Sequence, residues 1–261
     1  MKESVRKAGF RSAMSVPMLH DQTAHVDVHH AADLFSRLVN LLQQRDDTEL
    51  RARLDVLVSA ATSGALEPQR LFSEAFVQHH EHLAEIADAA GVDIELLTTI
   101  VAQAVAPLLR AYADRLLPLL ERIDDVRWQR GYCWVCGAWP SLGELRGVEL
   151  AQYLRCAACG SHWRWQRLEC PYCANDDFRS LQTLTVEGEP RFRISVCDRC
   201  KGYLKVGNAF DPPPAEFLAL DDVASLHLDV VAIERGYQRP GGTGFVIELA
   251  VPDDEWVEEL A

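Results

Sequence analysis

C-W-V-C-G, Cys133 to Gly137, is followed by C-A-A-C (Cys156 to Cys159), C-P-Y-C (Cys170 to Cys173) and C-D-R-C (Cys197 to Cys200), and no cysteine lies outside these four pairs. Two cysteines at i and i+3 in a tight turn can place both sulfurs on one ion while backbone N–H groups point at the thiolates. Four such knuckles make two tetrahedral S₄ sites. A disulfide framework is disfavoured, because bridging Cys133 to Cys136 closes a very short loop and removes little entropy from the unfolded chain.

In sequence order, 19 residues separate Cys136 from Cys156 and 23 separate Cys173 from Cys197. Both gaps are close to ribbon-type spacing. The expected grouping is Cys133, Cys136, Cys156 and Cys159 in one site, and Cys170, Cys173, Cys197 and Cys200 in the other. A cross-braced grouping is the rival; spacing does not exclude it, but a local hairpin closes shorter loops. The S₄ donor set suits iron or zinc. Such ions can serve purely to fold the domain, since their binding energy is itself folding energy.

Around this core the texture changes twice. From about His29 to Ile123 the sequence reads as a run of about five helices. Leu34, Leu38, Leu41 and Leu42 are expected to share one apolar face, and Pro68, Gly91 and Pro107 to sit near helix ends or kinks. From Val126, short alternating runs such as R-F-R-I-S-V suggest hairpins hung on the knuckles. Asp211 to Pro214, D-P-P-P, reads as an extended linker. D-D-V-A-S-L-H-L-D-V-V-A-I-E-R follows as a helix with Asp221 or Asp222 at its N-cap. The expected boundaries are 1–127 for a helical domain, 128–206 for the metal region, and 207–261 for the linker, C-terminal helix and acidic tail.

The chain has a formal net charge of −13. Residues 1–130, 131–205 and 206–261 carry −5, +2 and −10. With eight thiolates and two divalent ions, the metal region nets about −2, which argues against the basic footprint of a nucleic-acid binder. The first twenty residues lack the apolar run of a secretory signal. The most apolar later stretch is interrupted by Gln103, Pro107 and Arg110. A soluble, cytoplasmic protein with no membrane span is expected.

His25, His29, His30 and His79, His80, His82 form two histidine clusters, but neither comes with a carboxylate or cysteine motif, and exposed helix positions are the ordinary reading. His162, beside the second knuckle, could donate a hydrogen bond to a thiolate, with a surface position as the plainer alternative. Trp128, Trp134, Trp139, Trp163 and Trp165 are expected mostly in the core. Phosphate-loop, nucleophile-elbow and metalloprotease motifs have no support in the sequence.

The runs G-Y-C-W-V-C-G-A-W-P-S-L-G-E-L-R, Y-L-R-C-A-A-C-G-S-H-W-R-W-Q-R-L-E-C-P-Y-C and C-D-R-C-K-G-Y-L-K-V closely resemble the formate dehydrogenase accessory protein family, FdhE. The resemblance is specific from about Tyr132 to Arg239. It implies a cytoplasmic accessory or maturation protein that binds the catalytic subunit of respiratory formate dehydrogenase before twin-arginine export, in a chaperone-like way, with no catalytic residues of its own. It also implies rubredoxin-like knuckles whose eight cysteines, Cys133, Cys136, Cys156, Cys159, Cys170, Cys173, Cys197 and Cys200, hold two mononuclear ions, iron favoured and zinc the alternative. Trp134 stands where the family often has proline after the first cysteine, which leaves ligation intact.

The expected fold class is therefore α+β: an N-terminal all-α region, two rubredoxin-like or zinc-ribbon-like metal modules, and a C-terminal helix. The alternative function is a redox enzyme that passes electrons or sulfur to its client through a dithiol or iron centre. The sequence leaves room for a homodimer. Asp253, Asp254, Glu255, Glu258 and Glu259 offer an acidic tail that would speed encounter with a basic client segment.

Overall fold

The computed structural model describes residues 15–121, 128–210 and 213–250. Among the described residues the chain divides into two compact units, 19–111 with 246–250 and 15–18 with 112–245. The acidic tail and Asp211, the first residue of the linker, lie outside the described residues.

The first unit is helical. After a short strand β1 (Gln22–Thr23) come α1 (Val28–Gln43), α2 (Thr48–Thr62), α3 (Pro68–Phe76), α4 (His80–Ala90) and α5 (Ile94–Glu121), whose residues from Tyr112 on belong to the second unit. Their starts follow local chemistry. Asp27, Asp47 and Asp93 each accept a hydrogen bond from the backbone N–H three residues on, and Pro68 occupies a first-turn position whose missing N–H leaves nothing unpaired. Gly91 ends α4 in the left-handed conformation at φ 65°.

One expectation changes here. The core face of α1 is Val28, Ala31, Phe35 and Val39, while Leu41 is 60% exposed. Adjacent apolar pairs at 34/35 and 38/39 allow either helical face. Phe35 decides the choice by meeting Phe72 edge-on, with ring centroids 6.0 Å apart. Pro107 lies inside α5, and the helix continues through it without the hydrogen bond its nitrogen would have made. Among the described residues, Ile94–Pro118 is long and apolar enough to cross a membrane by length and composition. Leu97, Ile100, Val101, Ala104, Val105 and Leu109 are nevertheless buried at three- and four-residue intervals, the stripe of a core helix.

The second unit is a six-stranded sheet backed by helices. Its strands are β2 (Leu142–Arg146), β3 (Ala151–Arg155), β4 (His162–Arg164), β5 (Leu181–Leu184), β6 (Phe192–Cys197) and β7 (Tyr203–Ala209), in the order β4-β3-β2-β7-β6-β5. This order is a tandem repeat. Each half runs knuckle, two antiparallel strands, knuckle, third strand. The halves join through the parallel pair β2·β7, where Leu142 faces Lys205 and Gly143 faces Val206. The two four-cysteine modules thus share one sheet. A Cβ at Gly143 would press on the Val206 and Leu204 side chains at 3.0 and 3.1 Å, so glycine gives the junction its close fit.

The C-terminal helix is two helices, α6 (Leu218–Ala224) and α7 (Leu226–Glu234). Neither Asp221 nor Asp222 is an N-cap; α6 starts three residues before Asp221, continuing from the 3₁₀ turn Ala215–Phe217. The aspartates instead face cations. Asp221 pairs with Arg191 at 2.6 Å, and Asp222 pairs with Lys205 and Arg239. The break falls at buried Ser225, whose hydroxyl donates back to the Asp221 carbonyl at 2.7 Å, while the Lys205 ammonium takes the Asp222 carbonyl at 2.7 Å. Leu228 and Ala232 of α7 then pack on Phe192, Ile194, Val196 and Tyr203 of the sheet.

Candidate metal centres

All four knuckles have one backbone shape. The N–H of each leading cysteine, Cys133, Cys156, Cys170 and Cys197, donates to the carbonyl five residues on, at 2.8–3.0 Å. The residue after each second cysteine is left-handed, with φ of 75° at Gly137, 75° at Gly160, 51° at Ala174 and 58° at Lys201. A turn of this shape aims both sulfurs to one side. Glycine takes the left-handed position freely, whereas a residue with a Cβ is strained there by about 1 kcal/mol. Ala174 is exposed and has no side-chain role to lose, so Ala174→Gly is expected to stabilise the third knuckle by about 0.5–1 kcal/mol. Calorimetry of the metal-loaded protein should show a thermal midpoint higher by about 2 °C; an unchanged or lower midpoint would refute the strain argument.

The knuckles face each other in sequence order. The sulfurs of Cys133, Cys136, Cys156 and Cys159 lie within 4.8 Å of one another, as do those of Cys170, Cys173, Cys197 and Cys200. The cross-braced grouping is not formed. Sulfur separations across the first cluster are 3.5 Å (Cys133 to Cys159) and 3.6 Å (Cys136 to Cys156). In the second they are 3.7 Å (Cys170 to Cys200) and 3.8 Å (Cys173 to Cys197). A tetrahedral ion with metal–sulfur bonds of about 2.3 Å spaces its ligands about 3.8 Å apart. The cages match that edge, and they are far wider than a disulfide bond.

Electrostatics points the same way. Burial opposes ionisation of Cys133, yet its contacts with Cys136, Cys156, Cys159 and the Ser161 hydroxyl hold it well below the usual thiol range. The same contacts to Cys133 push Cys136 and Cys156 well above it. In the second cluster burial pushes Cys170 up and Cys200 to about 11, while Cys197 is lowered, burial notwithstanding, by the N–H groups of Cys200 and Arg199. Each cluster by itself supports one favoured thiolate. A cation would be needed to hold four thiolates at one point, and the S₄ donor set fits iron or zinc.

Two polar neighbours tune the cages. The Ser161 hydroxyl sits 3.0 Å from the Cys133 sulfur and 3.1 Å from that of Cys159. The Asn175 amide donates to Cys197 at 3.6 Å and to Ser180 at 2.7 Å. Both occupy the second position after a knuckle, the place of the closing carbonyl. Their side chains, easily passed over in the sequence, are carried to the sulfurs by the turn. His162 does not reach a thiolate; its ring meets Tyr153 edge-on, and burial with nearby Arg146 and Arg155 pushes its pKa down to about 4. Trp128, Trp134, Trp163 and Trp165 are buried, and each indole N–H donates to a backbone carbonyl at 2.7–3.3 Å.

The two centres differ in exposure. Cys133, Cys136, Cys156 and Cys159 are at most 1% exposed, whereas Cys173 and Cys200 are partly open to solvent. Cys170 and Cys197 also line a cleft of about 90 Å³ with Arg167, Tyr172 and Gln182.

Residues 154–246 match the family described as FdhE, C-terminal domain. Over this span the chain is similar to that domain. Its matched span contains three knuckles and both C-terminal helices, and the first knuckle, Cys133 and Cys136, precedes it. Over 208 residues, 78% of this chain, the sequence is 26% identical to the FdhE homolog of Aquifex aeolicus, covering 65% of that protein. Over 141 residues, 51% of the chain, it is 34% identical to the FdhE homolog of Pseudomonas aeruginosa, covering 45% of it. The chain therefore spans about half to two thirds of the length of these FdhE relatives. The crystal structure of the FdhE protein from Pseudomonas aeruginosa aligns over 86% of this chain and 98% of that one, at 20% identity and a TM-score of 0.44.

Proposed function

We propose that the protein is an accessory factor for formate dehydrogenase: it binds the catalytic subunit in the cytoplasm before twin-arginine export and is needed for that enzyme's activity, without turnover of its own. Its eight knuckle cysteines hold two mononuclear ions, with iron favoured. The observation that carries this reading is the FdhE domain match over residues 154–246, which takes in three of the four knuckles of the paired four-cysteine cages.

A binding role is supported by the outer face of the C-terminal helices. On α7, Leu226, Val230 and Ile233 recur at helical spacing and are 55%, 54% and 62% exposed; on α6, Leu220 and Val223 are each 62% exposed. Leu228 and Ala232 hold the opposite face of α7 on the sheet, so the outward row is free of core duty. An apolar row of this kind on a surface marks a protein contact.

The test is co-purification from cells that make formate dehydrogenase. The wild-type chain should retain the catalytic subunit. Val230→Asp with Ile233→Asp should release most of it while keeping the metal content and the circular dichroism of the folded protein. Failure of the wild-type chain to retain the subunit, and normal formate dehydrogenase activity in cells lacking it, would overturn the proposal.

A further inference from the structure

The histidines at 79, 80 and 82 do have a carboxylate, and it lies across a turn. Glu74, near the end of α3, places one oxygen, Oε2, 2.9 Å from His79 Nδ1 and 2.9 Å from His82 Nδ1. The two imidazole rings stand edge-to-face, with centroids 5.1 Å apart. Backbone geometry fixes the corner. Gln78 adopts φ 60°, and the His79 N–H donates to the Glu74 carbonyl at 3.0 Å. Fully buried Phe76 on one side and Leu83 on the other anchor the two helices that meet there.

The three donor atoms lie within 4.8 Å of one another, and the side chains of Glu74, His79 and His82 are 23%, 28% and 49% exposed. Two imidazole nitrogens and a carboxylate oxygen are the donor set that zinc-class ions take in open sites. Tetrahedral bonds of about 2.1 Å set neighbouring ligands about 3.4 Å apart, so a small side-chain adjustment from 2.9 Å would seat an ion. Burial works against ionisation of Glu74, but the bonds from His82 and His79 outweigh it and hold the carboxyl below its usual range. The carboxylate is therefore ionised before any cation arrives. Neutral imidazoles need only exchange tautomers to present their Nδ1 lone pairs. Glu85 and Arg70, which pair with each other at 3.8 Å, are the other charged groups acting on His82.

We propose that Glu74, His79 and His82 form a binding site for one divalent first-row transition cation of the zinc class, distinct from the cysteine cages and with coordination open to solvent. His79 and Glu74 are the fixed ligands at the corner. His82, in the first turn of α4, closes the site.

The experiment uses the full chain with both cysteine cages filled, dialysed near neutral pH against free Zn²⁺ in the micromolar range. The wild type should hold a third ion per chain. Glu74→Gln and His82→Ala should each weaken that ion at least about tenfold and keep the other two, while His80→Ala should bind as the wild type does. Zinc should also shift the ring ¹⁵N signals of His79 and His82 together. The proposal is overturned by a stoichiometry that stays at two, by a third ion indifferent to Glu74→Gln and His82→Ala, or by His80→Ala weakening it equally.

Discussion

Challenged with a strong chelator under native conditions, the protein is expected to give up one of its two cysteine-held ions promptly and to release the other only as the sheet unit unfolds. The order follows from burial. In the first cage every cysteine is at most 1% exposed, so a chelator reaches it only through opening of the fold. In the second, Cys173 and Cys200 meet solvent, and Cys170 and Cys197 line a cleft. Substitutions should separate in the same way. Cys136→Ser leaves buried sulfurs without their cation and withdraws folding energy on the order of 10 kcal/mol, so the sheet unit should lose its cooperative transition. Cys200→Ser should lose one ion and keep amide protection along β2 and β3. Metal analysis with hydrogen exchange reads both outcomes. Equal release rates, or equal damage from the two variants, would remove the distinction between a structural cage and an exchangeable one.

The same asymmetry bears on the redox alternative. Alkylation of a catalytic dithiol requires free, accessible sulfur in the resting protein. Only the second cage approaches that condition, so an electron- or sulfur-passing role would fall to Cys173 and Cys200. The first cage is placed to hold β2, β3 and β4 together.

What the sequence discloses and what it hides divide by distance along the chain. A knuckle is made within five residues, and its spacing is visible as text. The faces of α1 are less visible, because Leu34 beside Phe35 and Leu38 beside Val39 satisfy the helical period twice; the choice between them rests on Phe72, a residue of another helix. The β2·β7 junction joins Leu142 to Lys205 in parallel, and no local pattern encodes a pairing of that span. Glu74 is hard to connect with His79 and His82 because a helix end and the left-handed Gln78 stand between them, which no single helical period can bridge. Asp221 and Asp222 read as caps because acidic residues before an apolar run usually are. Their cations sit on a strand and a loop elsewhere.

Those cations give the second large effect. Lys205 projects from β7, is fully buried, and meets Asp229 at 2.7 Å, Asp222 at 2.8 Å and the Asp222 carbonyl at 2.7 Å. Arg239 closes the group from the other side, reaching Asp222 at 2.5 Å and Asp229 at 3.0 Å, and Tyr203 donates its hydroxyl to Asp229 at 2.8 Å. Two cations against two anions leave the group balanced, and the Lys205 ammonium also takes the carbonyl where the chain breaks between α6 and α7. Burial disfavours the Asp222 carboxylate, but Arg239 and Lys205 hold it below its usual range. Its contribution to stability is thus present above about pH 4 and lost as pH falls through the lowered value. Lys205→Met removes the central cation and leaves two carboxylates to one guanidinium. Breaking a buried pair in this way costs about 3–5 kcal/mol, far more than an exposed pair such as Lys201–Asp198 would. The variant should melt roughly 10 °C lower. It should keep both cysteine ions and free α6 and α7 to exchange their amides, since those helices rest on the sheet through this group as well as through Leu228. Replacing Asp222 by Asn in the same chain should recover part of the loss by restoring the charge balance, an outcome that simple loss of packing by the lysine stem would not produce. A melting shift below about 2 °C would instead mean that Arg239 alone suffices, and that Lys205 is buried for its aliphatic stem.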